Sequence, residues 1–131
     1  MPPPHPVLRG LYAITSERIC TSEKNLLAAV AAALRGGAAL IQYRDKTSPP
    51  ETREQHARAL LALCTAHQRP LIINDDVALC ARIGAAGVHL GLNDIPVADA
   101  RHLLGRDALI GATCGNDLAC AFSASAHSAD Y

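Results

Sequence analysis

In the stretch "LIQYRDK", Gln42, Arg44 and Lys46 follow one another at intervals of two, directly behind an apolar run. In an extended chain such alternate residues share one side. Arg44 then offers a planar fork suited to phosphate oxygens and Lys46 a mobile point charge. Gln42 sits inside the apolar run, where an amide needs a partner; a ligand or a polar neighbour could supply it. The competing reading is a solvated turn in which the cations pair with Asp45 or Glu51. Spacing alone leaves both open.

A second group of polar residues punctuates later apolar runs: Asn74, Asp75 and Asp76 after "PLII", Asn93 and Asp94 after "GVHLG", and Thr113 after "LIGA". Asp75 or Asp76, and likewise Asp94, could each cap the helix that follows. Taken together, two carboxylates at neighbouring strand ends suit Mg²⁺, a cation that takes hard oxygen ligands and keeps several waters. His89 alternates with Val88 and Leu90 and points away from them; it either lines an interior or packs as a satisfied core histidine, the latter being the expectation. His5, His56, His67, His102 and His127 are expected at the surface, with no spacing for a zinc quartet. There is no GxSxG, HExxH, P-loop or Rossmann glycine pattern.

Something must bring these scattered groups together. "GLYAIT", "AALIQYR", "PLIIND", "GVHLG" and "DALIGAT" read as strands. Between and after them lie helical patterns. Leu26, Leu27, Val30 and Leu34 share a face that ends at Gly36 and Gly37. Ala57, Leu60, Leu61 and Cys64 form a second stripe. Ser48, Pro49 and Glu51 read as a capping box with proline in the first helical position. Two shorter helices cover "DDVALCARIG" and "DIPVADARHLLG", and an alanine-rich one begins at Asn116 or Asp117. Five strands alternating with five helices predict an α/β fold with a parallel sheet, whose strands are continuously apolar. The carboxyl ends of such strands share one rim, and ligands bind there.

Half of the 131 residues are hydrophobic, which suits one soluble domain, here residues 10–131, behind a loose arm over residues 1–9. Twelve basic and twelve acidic side chains balance, so no nucleic-acid footprint is present. No apolar run is long enough for a bilayer, so no membrane partner is expected, and the start lacks a targeting pattern. The cytoplasm is the expected compartment. Five cysteines, none in a CxxC pair, read as free, mostly structural thiols.

Read in order, "LYAIT", "LIQYRDK", "PLIINDD", "GVHLGLND", "LIGATC" and "ADY" resemble the thiamine-phosphate synthase family from about Leu11 to Tyr131. The set QxRxK, IIND and GVHLGxxD is specific; each member alone is weak. The resemblance implies a (β/α)₈ TIM barrel, here about five βα units and so an incomplete barrel. It implies a transferase that joins a hydroxymethylpyrimidine pyrophosphate to a thiazole phosphate, yielding thiamine phosphate and pyrophosphate. It makes Gln42, Arg44 and Lys46 the holders of the pyrimidine pyrophosphate, with Arg44 and Lys46 catalytic. Asn74 and Thr113 become further pyrophosphate contacts, and Asp75 and Asp94 ligands of Mg²⁺. Thr113 stands where serine is usual, Asp76 where arginine is common and Leu92 where glutamine is frequent.

The family pattern continues with three more strands, a later lysine and the glycine-rich loops for the thiazole phosphate. Five units predict impaired activity for this chain and open edges that invite self-association. Two alternatives stand beside this reading. One is a thiazole tautomerase-like barrel, against which the retained QxRxK and both aspartates argue. The other is a non-catalytic partial-barrel module.

Overall fold

The computed structural model describes residues 8–131. Most of the expected arm over residues 1–9 lies outside the described residues; Leu8, at its end, packs against Ala39, Leu40, Ile72 and Leu109. Five strands alternate with five helices: β1 (Tyr12–Ile14), α1 (Glu23–Arg35), β2 (Leu40–Tyr43), α2 (Pro50–Ala66), β3 (Leu71–Asn74), α3 (Val77–Ile83), β4 (Gly87–Leu90), α4 (Val97–Leu104), β5 (Leu109–Ala112) and α5 (Leu118–Ala126). All pairings are parallel and the spatial order is β1-β2-β3-β4-β5. Because the strand order never reverses, successive right-handed crossovers leave the helices on one side of the sheet. That is the winding of a barrel rather than of a doubly wound sheet.

Register sorts the side chains. Tyr12 pairs with Leu40, Gln42 with Ile72, Asn74 with His89 and His89 with Gly111. With side chains alternating, these residues occupy one face, the inner one. Ile41, Tyr43, Leu71, Ile73, Val88, Leu90 and Ile110 occupy the other and pack with Leu26, Val30, Leu34, Leu60 and Cys80 in the main core. A smaller cluster of Ala39, Leu40, Ile72 and Leu109 lies at the amino end of the inner face. On the inner face β2, β3 and β4 thus begin apolar, at Leu40, Ile72 and Gly87, and turn polar towards their carboxyl ends, at Gln42, Asn74 and His89.

Local signals set the helix boundaries. Ser22 caps α1 by accepting from Asn25 N at 3.4 Å. Asp76, not Asp75, caps α3, accepting from Leu79 N at 2.8 Å. Asp117 caps α5 through Ala119 N and Cys120 N. The capping box expected of Ser48 and Glu51 does not form: Pro49 is the cap residue, Pro50 the first helical one, and no side chain caps α2. The reason is Asp45. Its Oδ1 accepts from both Thr47 N and Ser48 N at 3.0 Å, taking the donors that precede the prolines.

Beyond α5 the chain returns to the sheet. Asp130 N donates to Ile110 O at 2.7 Å and Ala112 N to Tyr131 O at 2.8 Å, so residues 129–131 lie along β5. Arg101 fastens this return, donating to Ala108 O, Ser128 O and Asp130 Oδ2 within 2.6–2.9 Å. Among the described residues no helix is long and apolar enough to cross a membrane.

Candidate functional site

Gln42, Arg44, Lys46, Asn74, Asp75, Asp94 and Thr113 stand at or beyond the carboxyl ends of their strands, and the parallel sheet places those ends on one rim. Gln42 is the most buried of them. Its Nε2 donates to Tyr12 Oη at 2.8 Å, so a neighbouring strand satisfies the amide. Arg44 is fixed through its backbone: Thr15, just past β1, receives its N–H at 2.8 Å and donates its hydroxyl to the Arg44 carbonyl. The guanidinium remains about 40% exposed, with only a loose approach of 3.7 Å to Glu17. Neither Asp45 nor Glu51 pairs with it.

Asp45 does something else. It is buried and accepts from Thr47 N, Thr47 Oγ1 and Ser48 N at one oxygen and from Tyr43 Oη at the other. Burial alone would raise its carboxyl, but these hydrogen bonds prevail and hold it at about 2. An anion that tightly tethered fixes the turn from Arg44 to Ser48 and with it the base of Lys46. Behind it, Tyr43 Oη meets His56 Nδ1 at 3.4 Å. His56, expected at the surface, is therefore buried; a tyrosine from another element supplies its partner.

Lys46 reaches the next strand end, its Nζ lying 3.5 Å from Asp75 Oδ2. Asp75 adopts a left-handed backbone with φ of 64°, uncommon for a residue other than glycine. Its N–H donates to His89 O at 2.9 Å. Because Asp76 supplies the helix cap, the Asp75 side chain is free for the rim. Its carboxyl is raised above the ordinary range, first by burial, then by a hydrogen bond with the neighbouring Asp94 carboxyl and by that group's charge; Lys46 pulls the other way. Asp94 is not a helix cap either. Its Oδ2 accepts from Gly91 N at 2.6 Å, and Pro96 is the cap residue of α4. Lys46, Asp75 and Asp94 thus converge from three loops.

Thr113 joins the rim from β5, its Oγ1 2.8 Å from His89 Nε2. His89 lies on the inner face rather than in the core. Its Nδ1 is buried without a partner, and burial holds the imidazole below its usual range despite the nearby Asp75 and Asp94. Sequence reasoning passed over Tyr131, which closes this face. Its ring lies 5.6 Å from that of His89, and its hydroxyl is 2.6 Å from Tyr12 Oη. The space it fills is left by Gly111, where an added Cβ would run into the Tyr131 ring. An open cleft of about 340 Å³ runs beside Asp94 and Thr113, between α4 and α5.

Among the described residues no three His, Cys, Asp or Glu side chains form a metal-holding group. Asp75 and Asp94 alone form a close acidic pair, with Lys46 as its cation. Two neighbouring carboxylates suit a divalent cation between them, completed by water or by a ligand's oxygens.

A singly wound parallel sheet with helices on one side and a polar carboxyl-end rim is a (β/α)₅ portion of a TIM barrel. A family model described as thiamine monophosphate synthase matches residues 11–131, and the chain belongs to that family. It is 56% identical over 124 residues to the thiamine-phosphate synthase of Thioalkalivibrio sulfidiphilus, covering 95% of this chain and 58% of that protein. With the Marinobacter nauticus enzyme of the same name it shares 52% over 122 residues, 93% of this chain and 54% of the other. The solved structure of a thiamine phosphate pyrophosphorylase from Pyrococcus furiosus superposes with a TM-score of 0.81 at 31% identity, covering 92% of this chain and 57% of that one. The chain spans little more than half the length of these relatives.

Proposed function

We propose that this chain supplies the pyrimidine-pyrophosphate side of a thiamine-phosphate synthase site. In that reaction the bond between the pyrimidine's methylene carbon and pyrophosphate breaks. A carbon–nitrogen bond to the thiazole phosphate forms in its place. Negative charge grows on the departing oxygens. Arg44 presents an exposed fork to them and Lys46 a point charge, and both strengthen their interactions as that charge develops. Gln42, Asn74 and Thr113 hold the substrate through amide and hydroxyl hydrogen bonds. Asp75 and Asp94 would hold Mg²⁺, which would supply positive charge towards the leaving group. No protein nucleophile is needed.

The observation that carries this reading is the convergence of Lys46, Asp75 and Asp94 from three separate loops. Titrating the chain with hydroxymethylpyrimidine pyrophosphate across a magnesium series tests it. Saturable, magnesium-dependent binding, weakened by Lys46→Ala and by Asp75→Asn, is the expected result. Absence of binding at every magnesium concentration rejects the reading in favour of a partial-barrel scaffold.

The same reading treats residues 10–131 as one partial-barrel unit in the cytoplasm, where the buried thiols of Cys20, Cys64 and Cys80 would stay reduced. The edge of β1 and the inner face, with Ile14 about half exposed, are the surfaces through which the unit would self-associate. Sedimentation across a concentration series reads that directly: a mass independent of concentration at that of a single chain removes self-association.

A further inference from the structure

Three of the five cysteines, Cys20, Cys64 and Cys80, are sealed in the core, while Cys114 and Cys120 are part-exposed. Burial pushes the Cys64 and Cys80 thiols up to about 11, which keeps them from acting as nucleophiles. The remaining two are brought together by a specific turn. Asp117 N donates to Cys114 O at 3.0 Å, and Asp117 Oδ1 accepts from Cys120 N at 3.2 Å. Gly115, with φ of 56°, permits the bend between them. One aspartate therefore ties both residues to the start of α5, Cys114 through its carbonyl and Cys120 through its N–H. The Cys114 thiol is directed by its 3.8 Å contact with Ala112 O. Cys120 opens into the cleft beside Thr113.

We propose that Cys114 and Cys120 form a redox-active dithiol on the carboxyl-end rim, oxidised to an internal disulfide by exchange with a small disulfide such as glutathione disulfide. The Cys120 thiol is raised, first by its hydrogen bond with Cys114 and further by burial and by the charges of Cys114 and Asp117. Cys120 is therefore the resolving partner. The Cys114 thiolate attacks one sulfur of glutathione disulfide, forming a mixed disulfide and expelling one glutathione thiolate. The Cys120 thiolate then attacks the Cys114 sulfur and expels the second glutathione. The two thiol protons pass to the two released glutathiones, so the protein loses two hydrogens and the reagent is reduced. The bridge ties the loop that carries Thr113 to α5.

The experiment is native incubation of the whole chain with glutathione disulfide, read by intact mass and tryptic mapping. No lysine or arginine follows Arg106, so both cysteines fall in one peptide, residues 107–131. The expected product is that peptide lacking two hydrogens, with Cys20, Cys64 and Cys80 still free. Cys120→Ser should stop at a glutathione adduct on Cys114, and Cys114→Ser should react more slowly. Glutathione adducts on both cysteines without a bridge, bridging to a core cysteine, or no reaction would each overturn the proposal. The readout is a mass, so it does not depend on the synthase reading.

Discussion

Lys46 Nζ stands 3.5 Å from Asp75 Oδ2, joining the loop after β2 to the end of β3. This ion pair does not settle Asp75. Burial and the adjoining Asp94 carboxyl raise the Asp75 carboxyl more than Lys46 lowers it. A half-exposed lysine contributes little, commonly under about 1 kcal/mol. The rim is organised around an electrostatic conflict, which a divalent cation would relieve.

That conflict fixes the sign of a pH effect. The native chain keeps the Asp75 proton over an interval where the unfolded chain has released it. Stability therefore falls as pH rises from the ordinary carboxylate value through the raised one, and stays lower above it. Asp75→Asn removes the charge, and asparagine tolerates the left-handed backbone at this position. Its melting temperature at neutral pH without divalent cations should exceed the parent's, with the gap narrowing in acid. Magnesium should stabilise the parent and leave the variant unmoved. A variant that melts lower at neutral pH would contradict this account.

Asp45 carries the opposite sign. Its carboxyl lies at about 2 in the fold against an ordinary 3.8. That depression contributes roughly 2 kcal/mol, fully present above the ordinary value and lost as pH falls through about 2. Asp45→Asn should lower urea-measured stability at neutral pH by about 2–3 kcal/mol, because Thr47 N, Ser48 N and Tyr43 Oη lose an ionised acceptor. The difference should shrink at strongly acid pH. A pH-independent deficit would assign the loss to packing instead.

These two aspartates also show what sequence could and could not yield. The alternation of apolar runs and helical stripes carried the strand and helix order, because period and turn residues are local. The rim positions followed from the same logic, since a parallel sheet puts every carboxyl end on one side. The choice between Asp75 and Asp76 as helix cap was not local: it depends on a left-handed φ at Asp75 that nothing in "NDD" specifies. Asp45 displaced the Ser48 capping box because its carboxylate reaches two N–H groups ahead of the prolines. His56 was misplaced because its partner, Tyr43, comes from the preceding strand. Tyr131 gained its role from Gly111 and Tyr12, the latter 119 residues away in sequence.

Glu17 offers a cleaner test of Arg44. Their approach of 3.7 Å joins two side chains that are each about 40% exposed, a pair expected to add less than about 0.5 kcal/mol to stability. Glu17→Gln should therefore leave the urea midpoint unchanged. By freeing the guanidinium it should tighten pyrophosphate binding several-fold, measured by calorimetry with magnesium present. Arg44→Ala should weaken the same binding by roughly 1–3 kcal/mol, tenfold or more. Unaltered affinity in both variants would remove Arg44 from the anion site.

Gly111 and Tyr131 give a prediction about the inner face alone. An added Cβ at Gly111 would meet the Tyr131 ring and His89 Nδ1. Gly111→Ala must therefore displace Tyr131, break its hydroxyl contact with Tyr12 and disturb the backbone bond from Ala112 N to Tyr131 O. Overpacking of this kind costs about 1–3 kcal/mol. Tyr131→Ala opens the space the methyl needs, so the double variant should lose less than the sum of the two single losses, with a coupling of about 1 kcal/mol in a double-mutant cycle. Strict additivity would mean that the Tyr131 ring does not rest over Gly111, and that the inner face is closed by some other group.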